Sequence, residues 1–254
     1  MKVKLNIVLV LLMQLTGMVA QTQDPDSLFS AANKFYQQEN YEKALEQYQQ
    51  IERQQLESAE LYFNMANIYY RTNQVAPSVY YYEKALQLSP NDQDIKFNLE
   101  FANAMVIDNI EPLPKSLGQK FIDVIVLRFT YETWAKICVT LAFVFAILFL
   151  LYHFSYSTVK KRIYFVTSIL TVILVTTFLF FTYRNKHYVD NNIQAIIFSS
   201  QADVKSAPTG SSDVYFELHE GTKVLVLETL DNWKKIRISD GKIGWINAAD
   251  LKEL

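Results

Sequence analysis

The chain has 254 residues, half of them hydrophobic, and a formal net charge of −2. Without a basic stripe it has nothing to neutralise a phosphate backbone, which excludes a nucleic-acid partner. The apolar residues are gathered in separate runs, which excludes one large soluble domain.

Residues 1–20 read as an export signal. Lys2 and Lys4 supply the positive start, residues 7–13 the short apolar stretch, and Ala20 the small residue before Gln21. Met18 is larger than is usual three residues before a cut, so the segment is either cleaved or kept as an anchor. Either way the module after it is exported.

Residues 21–110 carry six Lys/Arg against thirteen Asp/Glu, so the near-neutral total hides an acidic module. Within it Phe29, Phe63 and Phe97 recur every 34 residues. So do the pairs Asn33 and Asn67, Tyr36 and Tyr70, and Tyr48 and Tyr82. That period marks a helix–turn–helix unit whose apolar face is covered only by stacking. Small Ala32, Ala44, Ala66 and Ser78 let paired helices approach, Glu39 and Asn40 mark a turn, and Pro90 stops a helix. The run YYEKALQLSPND resembles the tetratricopeptide repeat family, with two units and a capping helix over residues 26–107. The resemblance implies a peptide-binding groove lined by Phe29, Asn33, Phe63, Asn67, Tyr70 and Phe97. Asn33 and Asn64 match two positions of the family's carboxylate clamp, but its basic partners are missing, so no clamp is expected. Tyr48, Tyr69 and Tyr82 are expected inside the helix pairs.

Glu111, Pro112, Leu113 and Pro114 open a linker over residues 108–132. Leu117, Phe121, Val124, Ile125 and Arg128 then recur at helical spacing, either to lie in a membrane interface or to pack on the repeat. Two apolar runs come next, residues 133–152 and 163–183, each long enough to cross a hydrocarbon core of ~30 Å. The ten residues between them, 153–162, hold Lys160, Lys161 and Arg162 and no acid. Trp134, Tyr152, Tyr164 and Tyr183 mark the ends of the spans as an aromatic belt does. The pair is a membrane hairpin with its flanking modules on one side. Basic residues outside the loop make the charge rule agree only in part, so the export signal decides that the loop is cytoplasmic. No acid lies within the spans, which argues against a pump or transporter. Cys138 is the only cysteine, so no intrachain disulfide forms and both modules rely on packed cores.

Residues 195–254 switch to period-two alternation, with Val224, Val226, Ile236 and Ile238 on one face and Asp240-Gly241 as a hairpin signal. The run from Val204 to Pro208, then Glu220-Gly221-Thr222, Trp233 and Gly244-Trp245-Ile246, resembles a bacterial SH3-like domain. Lys205 stands where that family commonly has Arg. The resemblance implies wall peptides or other envelope ligands. Tyr215, Trp233 and Trp245 are the candidate contacts, although either Trp alternatively completes the small core. His219 is expected to be structural.

The expected fold class is a multidomain membrane protein: an all-α tetratricopeptide helical repeat, a two-helix transmembrane hairpin and a small all-β SH3-like barrel. His153, His187 and His219 are scattered, and no P-loop, nucleophile elbow or HExxH is present, so no enzyme, cofactor or metal is expected. The order of modules resembles the BatE-like proteins of the Bacteroides aerotolerance (Bat) group. That resemblance implies a multi-pass protein of the bacterial inner membrane, with both soluble domains on the periplasmic side. It also implies Bat partners bearing von Willebrand A domains, a MoxR-type ATPase and a link to oxygen or stress tolerance. The first functional expectation is an envelope scaffold recruiting protein partners; the alternatives are a peptidoglycan-sensing transducer and a regulatory subunit of a cell-wall hydrolase.

Overall fold

The computed structural model describes residues 24–254, so the export-signal expectation lies outside the described residues. The chain divides into two compact units at the Leu56–Glu57 boundary. The first holds α1 (Pro25–Gln37) and α2 (Tyr41–Arg53). Asp24 caps α1 by accepting from the Ser27 N–H at 3.2 Å, with Pro25 at the first helical position, where no N–H is needed. Glu39 takes φ 57° in the turn, and Asn40 caps α2. Leu28, Ala32, Ala44, Tyr48 and Ile51 form the buried seam.

The second unit opens with α3 (Ala59–Arg71), α4 (Val75–Leu88) and α5 (Gln93–Ala104). Helices α1, α3 and α5 begin 34 residues apart, and the left-handed turn residue Glu39 recurs at the same interval as Asn73. The helix pairs share one internal lock. The Tyr48 hydroxyl donates to Asn33 Oδ1 and the Tyr82 hydroxyl to Asn67 Oδ1, each at 2.5 Å. Phe29 packs on Tyr48 at 5.6 Å between ring centroids, and Phe63 on Tyr82 at 5.9 Å. Tyr48 and Tyr82 are wholly buried, so each hydroxyl needs that acceptor.

After α5 the chain runs into α6 (Leu117–Val124), a 3-10 turn (Val126–Arg128) and the long helices α7 (Tyr131–Phe154) and α8 (Thr158–Asn191). Both long helices are apolar enough to cross a membrane, and the rest of the protein covers only 6% and 11% of their apolar stretches. Core helices of a soluble domain would be covered far more. They pack antiparallel, with Tyr152 beside Phe165 and Trp134 beside Phe178 at the opposite end. The turn between them is only residues 155–157, shorter than the ten-residue loop expected, because both helices continue past their apolar stretches. Ser168 and Thr171 satisfy their hydroxyls on carbonyls one turn back. At the open end Asn185, 2% exposed, donates to the Val126 and Phe129 carbonyls at 2.8 Å each. Trp134 Nε1 donates to the same Val126 oxygen at 2.9 Å. Helix α8 therefore carries the 3-10 turn, and it ends only two residues before the sheet begins.

The C-terminal sheet is antiparallel, with strands in the order β3-β2-β6-β5-β4-β1-β7. They are β1 (Gln194–Ile197), β2 (Gln201–Lys205), β3 (Val214–His219), β4 (Lys223–Leu230), β5 (Trp233–Arg237), β6 (Ile243–Asn247) and β7 (Leu251–Glu253). Side chains from all seven strands, among them Ala195, Val204, Leu218, Val226, Ile236, Ile246 and Leu251, share one buried cluster, so the sheet curls around a single core. Gly244 makes that closure fit. A Cβ there would lie 2.5 Å from Val204 Cγ1, where β6 crosses β2. The Asp240-Gly241 turn is longer than a two-residue hairpin: it spans residues 238–242, with Gly241 at φ 92° and Asp240 Oδ1 accepting from the Lys242 N–H at 2.9 Å.

Truncating Tyr82 to Ala should cost about 3–5 kcal/mol in helix-stack stability, and Tyr82→Phe about 1 kcal/mol. Thermal melting followed by circular dichroism separates the two: equal losses would show that the hydroxyl, not the ring, dominates.

Candidate functional site

Three surfaces of the second unit can be built from the residues upward: the side of its first helices α3 and α5, the outer face of the barrel, and the seat between barrel and second repeat. Phe29 and Asn33 lie on α1 of the first unit; in the second unit Phe63, Asn67 and Tyr70 lie on α3 and Phe97 on α5. Asn33 and Asn67 are not simple groove contacts, because their carbonyl oxygens serve the tyrosine locks. Phe29, Phe63 and Tyr70 are half-buried, whereas Phe97 is 60% exposed. Tyr69, expected inside the helix pair, stacks on Tyr81 at 5.4 Å and 6°.

On the barrel, strand alternation turns Trp233, Lys235 and Trp245 outward, opposite to Ile236 and Ile246. Lys235 pairs across β5–β6 with Trp245, and Trp245 across β6–β2 with Lys205. Lys235 Nζ lies 5.6 Å from the Trp245 ring and Lys205 Nζ 5.9 Å from the Trp233 ring, both within cation–π range. Neither tryptophan joins the buried cluster. Tyr215 is 65% exposed on the same outward alternation of β3. The outward side of β2, β5 and β6 thus brings two tryptophans and two lysine ammonium groups together.

The seat lay beyond sequence reasoning. Asp108, in the stretch expected to be a linker, accepts three bonds from the β3–β4 corner. Its Oδ2 takes the His219 N–H at 2.7 Å and the Thr222 hydroxyl at 2.6 Å, and its Oδ1 faces His219 Nδ1 at 2.7 Å. Burial alone pushes the Asp108 carboxyl up. The bonds from Thr222 and His219, with the His219 charge, outweigh it and hold the group below its ordinary value. His219, expected to be structural, joins its turn to Asp108 through both its backbone N–H and its ring. Beside it, Gly221 at φ 85° accepts Val106 and Val75 so closely that a Cβ would lie 2.8 and 2.9 Å from them. Buried Glu83 of α4 bonds Lys223 at 2.7 Å. Tyr80 meets Phe198 edge-on at 5.6 Å, and Lys252 Nζ sits 4.3 Å over the Tyr80 ring. The strap continues: Ile110 packs on the barrel core, and the Leu113 N–H donates to the Ser239 carbonyl at 3.0 Å. Residues 108–113 are thus part of the barrel's packing, not a free tether. Glu220-Gly221-Thr222 was visible as a family motif, but nothing in the sequence ties Asp108 to a turn 111 residues away.

Among the described residues, no three His, Cys, Asp or Glu side chains come together as a metal ion requires. The tetratricopeptide repeat family model matches residues 59–92, and the bacterial SH3 domain model matches residues 200–252. No curated protein matches the chain.

Gly221→Ala should unseat the barrel, since it combines a left-handed backbone cost of about 1–2 kcal/mol with overlap on two valines. Hydrogen exchange should quicken at residues 106–113 and 219–223 while the barrel core stays protected; unchanged exchange there would contradict the seat. Asp108 adds a pH dependence. Because its folded pKa is lowered, its contribution is complete above the ordinary value of 3.8 and is lost as pH falls through the lower folded value. The same exchange measurement should show loosening below that pH in the wild type, and a smaller change in Asp108→Asn.

The chain thus carries a tetratricopeptide repeat and a bacterial SH3 domain, flanking two helices long and apolar enough to cross a membrane.

Proposed function

We propose that the chain is a membrane-anchored envelope scaffold that recruits protein partners through its tetratricopeptide face and its SH3-like domain, as part of a Bat-type complex. The observation that carries this reading is the seat. Asp108 and Glu83 bond the barrel to the second repeat and the strap after it, while Asn185 and Asn91 tie the 3-10 turn to the hairpin and to the repeat, so the second unit offers two different faces at fixed spacing beside the spans. Fixed spacing raises effective concentration for a partner that touches both faces. The hairpin returns the chain, which supports the placement of both modules on one side of the bilayer; with an export signal that side is the periplasm of a bacterial inner membrane. No catalytic role is part of this reading. The partners it calls for are membrane proteins bearing von Willebrand A domains, with a MoxR-type ATPase acting alongside.

A peptidoglycan-directed reading, as a wall-sensing transducer or a regulatory subunit of a cell-wall hydrolase, draws on the Trp233, Trp245 and lysine surface. Transduction through the hairpin has little cytoplasmic chain to act on, because the inter-helix turn is so short.

Crosslinked pull-down of the full chain from native membranes should recover von Willebrand A-domain proteins, and Phe63→Ala with Tyr70→Ala should reduce that recovery at least tenfold. Recovery of wall fragments instead, lost in Trp245→Ala, would move the assignment to the second reading.

A further inference from the structure

The repeat identifies what is missing at its own open end. In both complete helix pairs a phenylalanine of the first helix packs on a tyrosine nineteen residues later: Phe29 on Tyr48 and Phe63 on Tyr82. Helix α5 is the first helix of a third pair, and Phe97 holds the same position. Nineteen residues on, however, stands Ser116, the cap of α6, whose side chain accepts from the Gln119 N–H at 3.3 Å. Helix α6 has only eight residues, and its Phe121 turns to Phe181 of α8. Among the described residues, the chain supplies no second helix for α5. Phe97 therefore packs edge-on to Phe101, at 4.8 Å, and the two remain 60% and 47% exposed. A helix that merely ended the stack would present polar residues to water.

Phe101 carries the second clue. It occupies the position of Asn33 and Asn67, the acceptors of the tyrosine hydroxyls. At α5 that acceptor is replaced by a hydrocarbon ring. A tyrosine brought in over Phe97 would leave its hydroxyl unpaired, and a phenylalanine would not.

We propose that the Phe97–Phe101 face of α5 docks an amphipathic helix of a partner protein, completing the third pair, and that this helix presents phenylalanine where α2 and α4 present tyrosine. The surface continues the stacking already seen between α4 and α5. A second copy of this chain cannot supply the missing helix from α2 or α4, since each is packed on its own first helix. The proposal deepens the scaffold reading, since Phe97 belongs to the tetratricopeptide face that reading uses; it concerns the open end of the stack, and its test does not depend on Phe63 or Tyr70.

The probe is a labelled peptide of residues 41–53, the α2 sequence, prepared with Tyr48 and with Tyr48→Phe. Binding to the full chain in lipid nanodiscs is read by fluorescence anisotropy. The phenylalanine peptide should bind saturably and about tenfold more tightly than the tyrosine peptide. Phe97→Ala and Phe101→Glu should each weaken it at least tenfold, without loss of folding because both side chains are largely exposed. Phe101→Asn, which restores the acceptor, should reverse the preference towards tyrosine. Absence of saturable binding, equal affinity of the two peptides, or an unreversed preference in Phe101→Asn would overturn the proposal. So would a wild-type dimer that Phe101→Glu converts to monomer, because a second copy would then cover the face. Failure here is distinguishable from failure of the scaffold reading, which is tested through Phe63 and Tyr70.

Discussion

The carboxylate of Asp108, partly buried against the β3–β4 corner, is the contact on which the arrangement of the second unit depends. Three short bonds from Thr222 and His219 gather at one group, and charge-assisted bonds of this kind are roughly twice as strong as neutral ones. They are shielded by the close approach of Val75 and Val106 to Gly221, which leaves no room for a side chain. The Glu83–Lys223 pair adjoins this point. Removing either partner would leave a charge stranded in a poorly solvated seat, so the pair specifies one docked geometry more than it adds net stability.

The seat sets the rest of the second unit. Helix α4 is covered by the barrel, with Tyr80 and Glu83 buried beneath it, so α3 and α5 are left to present the first-helix face. On the barrel, strands β2, β5 and β6 turn Lys205, Lys235, Trp233 and Trp245 outward while the residues between them fill the core. The Asn185 and Trp134 bonds to Val126 fix the 3-10 turn to the hairpin. Asn91 of the repeat reaches the Arg128 carbonyl of that turn, so the repeat touches the hairpin entrance as well as the barrel.

Much of this was legible in the sequence because it is periodic. The 34-residue interval predicted helix starts and the burial of Tyr48 and Tyr82, and period-two alternation placed Val224, Val226, Ile236 and Ile238 inside. Apolar length identified α7 and α8, though not their true ends, since Thr158 and Asn191 lie well outside the apolar run. What stayed hidden depends on contacts with no period. Sequence could not show that Tyr82, one helix later, claims the Asn67 oxygen. Trp233 and Trp245 were ambiguous because an aromatic side chain suits a core and a stacking surface equally well. Residues 108–113 read as a linker from their prolines, but Ile110 and Leu113 are bound to the barrel.

The most direct test of the seat is an electron-spin distance measurement between the second repeat and the barrel in the full chain. Labels at Gln87→Cys on α4 and Thr229→Cys on β4, with Cys138→Ala, would be read in lipid nanodiscs. A single narrow distance, broadened by Gly221→Ala, is the predicted result. A broad distribution already present without Gly221→Ala would mean that the barrel swings freely from the helical stack, and would contradict a fixed seat.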